Sequence, residues 1–313
     1  MSDVKKIATR VSYGTALCEL GAEHDDFVVL DADLASATQT GMFKKAYPDR
    51  FIDCGIQEGN MISVAAGIAT TGMVPFASTF AMFAAGRSFE QVRNSIGYPH
   101  LNVKICATHA GISVGEDGAT HQCLEDLALM RTIPGMVVMQ PADDVEARAM
   151  IKAIYEYEGP CYVRLGRLAV PVINDEATYK FEMGKALVMK EGTDVTIVAT
   201  GLEVIEALGA AEKLAAEGIS AEVINVHTIK PLDEETIIAS AKKTGKVVTV
   251  EEHNILGGLG GAVCEVLSEK CPTPVLRMGT HDCFGESGPA TELIKKYGLD
   301  AEGIYATVKG FVK

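Results

Sequence analysis

The 313-residue sequence has few aromatic residues (6%) and no long hydrophobic run. No apolar stretch reaches the ~18 residues needed to span a bilayer, so no membrane is an expected partner. The first ten residues, MSDVKKIATR, lack the apolar core of a signal peptide. Basic residues are outnumbered, with 28 Lys and Arg against 42 Asp and Glu and a net charge of −14. Such a surface repels nucleic acid, although anionic small molecules can still bind where basic residues converge. The eight cysteines (Cys18, Cys54, Cys106, Cys123, Cys161, Cys264, Cys271 and Cys283) include no CxxC and mostly sit in apolar runs. Free thiols in a reducing cytosol are therefore expected, and with them a cytoplasmic location. There is no low-complexity segment and no clear internal repeat.

What is present is a globular composition, 48% hydrophobic and 22% charged, with 31 glycines. Short β-like runs alternate with helical segments. Strands are expected at Phe27–Asp31, Phe51–Cys54, Val74–Ser78, Val103–Thr108, Met136–Met139 and Cys161–Leu165. Helices are expected at Ser12–Ala22, Asn60–Thr70, Ser88–Ile96, Leu124–Arg131 and Asp143–Glu156. The pattern loosens after Ala169 and then restarts. Four more strands follow, at Val195–Thr200, Ala221–Val226, Val247–Glu251 and Thr273–Met278, with helices between and after them. Alternation of this kind predicts mainly parallel sheets covered on both faces. The fold class is α/β, with a first domain over 1–170, a linker over 171–190 and a second domain over 191–313.

The stretch FIDCGIQEGNM places one acid, Glu58, between a strand and an apolar, small-residue helix. An acid near a helix N-terminus is usually there for the macrodipole. The sharper possibility is a desolvated carboxyl, which holds a proton near neutral pH and donates it in a hydrogen bond to a bound heterocycle. Neighbouring segments favour a site. STFAMFAAGR sets Phe80 and Phe83 three apart after a strand, either as core packing or as a clamp for a flat ring. ATHAGISVGEDGATHQ brings His109, Glu116, Asp117 and His121 onto one glycine-rich loop. Their spacing matches no common zinc pattern, so no metal ligand is assigned. Hydrogen bonding to a polyhydroxylated substrate fits better. Arg10, Arg164 and Arg167 are candidates for phosphate binding or for surface salt bridges. ILGGLGGAV has glycines at Gly258 and Gly260 but Val263 at the third place of a dinucleotide motif. It reads as a tight helix start.

The ordered set DADL, GIQEGNM, STFAMF, THAGISVGEDGATHQ and YVRLGR resembles the pyrimidine-binding half of transketolase, and VTIVATGLEVIEAL through EEHNILGGLGG resembles that family's C-terminal domain. The GDG-plus-Asn signature of the diphosphate-binding domain is missing, so the chain resembles the C-terminal subunit of a split, two-gene transketolase. The resemblance implies a thiamine-diphosphate-dependent transferase. It would move a two-carbon ketol unit between sugar phosphates, as in the pentose phosphate pathway. Glu58 would bond the aminopyrimidine ring and favour the tautomer that activates the cofactor. Phe83 would stack on that ring, Phe80 would line the pocket, and Asp33 would lie beside the cofactor at a subunit boundary. His109, Arg10 and Arg167 would hold the sugar phosphate, while Asp117 and His121 would bond its hydroxyls. Mg²⁺ and the diphosphate would sit on an N-terminal partner chain. Self-dimerisation plus that partner would give a heterotetramer, and this chain alone would be inactive.

Three departures from the family pattern stand out: Gly86 where an aromatic is common, Ala37 where a phosphate-binding serine is usual, and a less polar THAGI. A 2-oxo-acid dehydrogenase β-subunit and a deoxyxylulose-phosphate synthase fragment share Glu58 and the two-domain plan. Thr108-His109 and Gln122 favour transketolase over both. A non-catalytic regulatory subunit is disfavoured by the joint presence of Glu58, Phe83, His109, Asp117 and His121.

Overall fold

The computed structural model describes residues 5–313. In chain order its strands are β1 (Lys6–Ala8), β2 (Phe27–Asp31), β3 (Phe51–Asp53), β4 (Val74–Phe80), β5 (Lys104–Thr108), β6 (Val137–Met139), β7 (Cys161–Arg164), β8 (Ala169–Pro171), β9 (Leu187–Lys190), β10 (Val195–Ala199), β11 (Ala221–Asn225), β12 (Thr228–Lys230), β13 (Val247–Asn254) and β14 (Val275–Thr280). A seven-stranded sheet runs β12-β6-β7-β5-β4-β2-β3, and a five-stranded sheet runs β14-β13-β10-β11-β9. Every residue of β2, β4, β5 and β7 is buried, because helices cover both faces of a parallel sheet. The α/β architecture is the one the alternating pattern predicts.

The strands that the sequence does not announce share one feature. β1 and β8 pair with each other antiparallel, β9 runs antiparallel to β11, and β12 runs antiparallel to β6. Each has only three or four residues, too short a run to announce a strand, so pairing rather than intrinsic preference makes it one. β12 lies between β11 and β13 in the chain, yet it joins the first sheet through Thr228 and Met139. The two halves are therefore stitched together through a strand as well as through side chains.

Two buried polar clusters complete the join. Arg164, fully buried, donates to Asp126 Oδ2 (2.8 Å), the Cys123 carbonyl (3.1 Å) and the Glu252 carbonyl (2.9 Å) of the second half. Glu146 accepts from Tyr179 Oη (2.6 Å), Asn225 Nδ2 (2.8 Å) and the Ala142 amide (2.6 Å), and burial pushes its carboxyl up to about 7. Arg164, a phosphate candidate from sequence, is thus a structural ion-pair member and faces no open site.

The helix expected at Ser88–Ile96 begins earlier. Two π-helical segments, Met82–Arg87 and Val92–Gly97, flank Phe89–Gln91. Wide turns of this kind often mark functional sites, because they re-aim side chains. All eight cysteines are free, with Cys106, Cys123 and Cys161 buried and Cys283 exposed.

Candidate active site

Ligand sites of open α/β sheets lie beyond the carboxyl ends of the strands. In the first sheet those ends carry Asp33 after β2, Glu58 after β3, Phe80 closing β4, His109 after β5 and Arg167 after β7. The register sets Phe80 opposite Thr108, which brings Phe80 and His109 side by side.

Glu58 is the first residue of the helix Glu58–Ala69 and is only 2% exposed. The carboxyl is dry, as the apolar sequence around it requires, but it is not alone. Arg87 Nη1 reaches both of its oxygens, at 3.0 and 3.1 Å. The same guanidinium lies 4.4 Å from the centroid of the Phe83 ring. Arg87 closes STFAMFAAGR, and its role is invisible without the π-helical turn that swings it back towards Glu58. Its side chain is 53% exposed, so it can leave.

The aromatic wall is continuous. Phe80 and Phe83 stack at 5.7 Å and 17°, His109 stacks on Phe80 at 3.9 Å, and His121 meets Phe83 edge-on at 5.5 Å. Offset and edge-to-face geometries are the favoured aromatic arrangements. Gly86 does not leave a void, because Met82 packs where a Cβ would stand.

His109 is buried in a left-handed backbone conformation (φ 57°), unusual for a residue with a Cβ. Its Nδ1 hydrogen-bonds Thr108 Oγ1 at 2.9 Å. Burial, followed by the charges of Arg10 and Arg167, lowers its pKa to about 3, so the ring is neutral at physiological pH. Arg10 and Arg167 line one open groove of about 310 Å³ with Ser113, Glu116 and Thr291. Arg10 Nη1 donates to the Ala37 carbonyl at 2.7 Å, and its Nε is buried with no partner among the described residues. Arg167 Nη1 donates to the Val114 carbonyl and to Glu116 Oε2. Two guanidiniums facing one groove repel each other, and Arg167 contributes to holding the Arg10 pKa below its ordinary value after burial. An anion between them would relieve that repulsion.

Not every expected residue joins this cluster. Asp33 is exposed at the end of β2 with φ 61°, and nothing in the structure pairs it with Glu58. The buried acid there is Asp31, pushed up to about 6 by burial, which accepts from Thr38 and Thr40 and shapes the loop that carries Asp33. Asp117 is exposed at the loop tip, and His121 bonds Thr120. Within ILGGLGG, Gly258 packs against the Glu251 carboxyl, whose oxygens accept from the Leu259 amide (2.7 Å) and the Gly260 amide (2.8 Å). The amides that open that helix are thus satisfied from inside the fold, as a tight helix start requires.

Known proteins resemble this chain in sequence and fold. Residues 5–172 match the family described as Transketolase, pyrimidine binding domain, and residues 184–304 match Transketolase, C-terminal domain. A Methanocaldococcus jannaschii protein provisionally assigned as a transketolase C-terminal section is 54% identical over 299 residues, covering 94% of this chain and 93% of that protein. A 6-deoxy-6-sulfo-D-fructose transketolase subunit from Clostridium sp. (strain MSTE9) is 47% identical, covering 94% and 91%. A solved structure described as a split gene transketolase, inactive beta4 tetramer, superposes with a TM-score of 0.91 at 55% identity, covering 97% of this chain and 98% of that one. The chain belongs to the transketolase family of transferases, as the C-terminal subunit of a transketolase divided between two chains.

Proposed function

We propose that this chain supplies the pyrimidine end of a thiamine diphosphate site and most of a sugar-phosphate site. A partner chain bearing the N-terminal domain would supply the diphosphate and Mg²⁺ positions. The observation that carries this reading is the dry Glu58 carboxyl beside the Phe80–Phe83 wall, with the Arg10–Arg167 groove also opening at the strand ends of the first domain. The residues present fit the cofactor: a buried acid for a ring nitrogen and flat aromatic faces for the ring itself. When bound, thiamine diphosphate supplies the carbanion chemistry of ketol transfer.

The chain's own residues do the rest. Glu58 holds the hydrogen bond to the ring nitrogen, in the place Arg87 takes in this structure. Phe83 stacks on the ring, and Phe80, stacked between Phe83 and His109, lines the pocket and keeps water from it. Arg10 and Arg167 grip the phosphate, with His109 beside them as a neutral hydrogen-bonding group. Asp117 and His121 reach the hydroxyls from the exposed loop, and Asp33 meets the cofactor at the subunit boundary. The sulfo-sugar named for one relative also carries an anionic tail, in keeping with an anion groove. The tetramer called inactive is in keeping with self-association of such chains and with inactivity of this chain alone. A heterotetramer acting on cytoplasmic pentose phosphates is the assembly we expect.

The test is reconstitution. Xylulose 5-phosphate and ribose 5-phosphate are given to this chain, to an N-terminal transketolase chain, and to both, with thiamine diphosphate and Mg²⁺. Ketol-transfer products from the mixture alone support the reading. Products from this chain alone, or none from a mixture that co-purifies, reject it.

A further inference from the structure

The loop carrying Asp117 and His121 belongs to the first domain, but the second domain holds it along its length. The Glu252 carboxylate of β13 accepts from the Ser113 amide. Gly111, at φ 80°, is what admits Glu252, because a Cβ there would collide with that carboxyl. Gln122, 3% exposed, turns its amide nitrogen to the carbonyls of Ile112 (3.2 Å), Gly115 (3.3 Å) and Glu286 (2.9 Å). Ser287 Oγ donates to the Glu116 carbonyl at 2.6 Å, and the Asn254 amide donates to the Leu124 carbonyl at 2.9 Å. These contacts bracket Asp117 and His121 on both sides. Between them Gly115 and Gly118 turn the backbone at positive φ, facing Gly288 and Ser287.

The same segment of the second domain borders the anion groove. Ala290 and Thr291 line it together with Arg10 and Arg167. Substrate hydroxyls and substrate phosphate would therefore be met by groups whose spacing the second domain sets.

We propose that Gly285–Thr291 of the C-terminal domain is a positioning and specificity element of the sugar-phosphate site. It holds the loop where Asp117 and His121 meet substrate, and Thr291 closes the groove that takes the anionic end. Glu286 and Ser287 act through the loop and are positioning residues, whereas Thr291 faces the ligand. This rests on the sugar-phosphate reading above.

Three variants test it in the reconstituted complex: Ser287→Ala, Ser287→Thr and Thr291→Val. Ser287 is exposed and Thr291→Val keeps the shape, so neither change threatens the fold. Removing one positioned hydrogen bond should raise KM for the sugar phosphate about five- to tenfold in Ser287→Ala and Thr291→Val. The kcat, the thiamine diphosphate affinity measured by calorimetry, and the Tm should stay within about twofold or a degree of wild type. Ser287→Thr, which restores the hydroxyl, should recover the wild-type KM. Unchanged KM in both Ser287→Ala and Thr291→Val would overturn the proposal, as would a loss of cofactor affinity in place of the KM effect. A wild-type complex that binds no thiamine diphosphate would instead reject the underlying functional reading, so the two failures are distinguishable.

Discussion

Two buried glutamates, one in each domain, sit beside the start of a small-residue helix, and they are used in opposite ways. Glu251, on β13, gives its oxygens to the amides of Leu259 and Gly260. Glu58 gives none of its hydrogen bonds to backbone and both oxygens to a half-exposed arginine. The first carboxylate is committed to the fold. The second is held by a partner that can leave, which is what a ligand-binding acid needs. Asp126 and Arg164 extend the committed class, with every partner deep in the core. Burial of an acid therefore says little about function until its partners are known.

Breaking a committed acid should have the largest effect on stability. Asp126→Ala leaves the Arg164 guanidinium buried without its counter-ion, a loss of about 3–5 kcal/mol. Urea unfolding measures it, and a change below about 1 kcal/mol would remove Asp126 from the committed class. Glu251→Ala uncaps two amides and should lower stability by about 1–3 kcal/mol, read in the same way.

A smaller effect separates the classes by pH. His109 is held neutral in the fold, with its pKa lowered to about 3, so the unfolded chain binds its proton more readily. That lowers stability as pH falls from about 6.5 towards 3. His227, lowered to about 4 by burial, acts in the same direction. Asp31 and Glu252, each pushed up to about 6 by burial, act oppositely. The signature of His109 is thus a difference. Tm against pH should fall less steeply below pH 6.5 in His109→Gln than in wild type. Parallel curves would mean that His109 does protonate in the fold.

The smallest effect belongs to Arg87. If its guanidinium stands where the cofactor ring binds, Arg87→Ala should tighten thiamine diphosphate binding to the complex, by no more than about fivefold for so exposed an ion pair. Weaker binding would make Arg87 a ligand of the loaded site instead.

Much of this was legible in the residues. The parallel strands are mostly apolar-rich runs, and the site loops of the first sheet follow them at sequence positions that glycine and isolated charges mark. The antiparallel edge strands were not legible, because three residues such as Thr228–Lys230 become a strand only when Met139 is beside them. The role of Arg164 was ambiguous in YVRLGR, since nothing local shows that Asp126 lies against it. The role of Arg87, which closes STFAMFAAGR, is not legible in the sequence, because only a π-helical turn aims it at Glu58. The grip of the second domain on the substrate loop was equally hidden, since Gln122 and Glu286 are 164 residues apart.

The most direct measurement compares Glu58→Gln with Glu251→Gln in the reconstituted complex, reading ketol transfer per folded molecule alongside Tm. The expected result is a loss of about 100-fold or more in Glu58→Gln with Tm unchanged, the scale of a missing acid–base group, against a lowered Tm with near-normal turnover in Glu251→Gln. Wild-type turnover in Glu58→Gln would contradict the assignment of this acid to the chemistry.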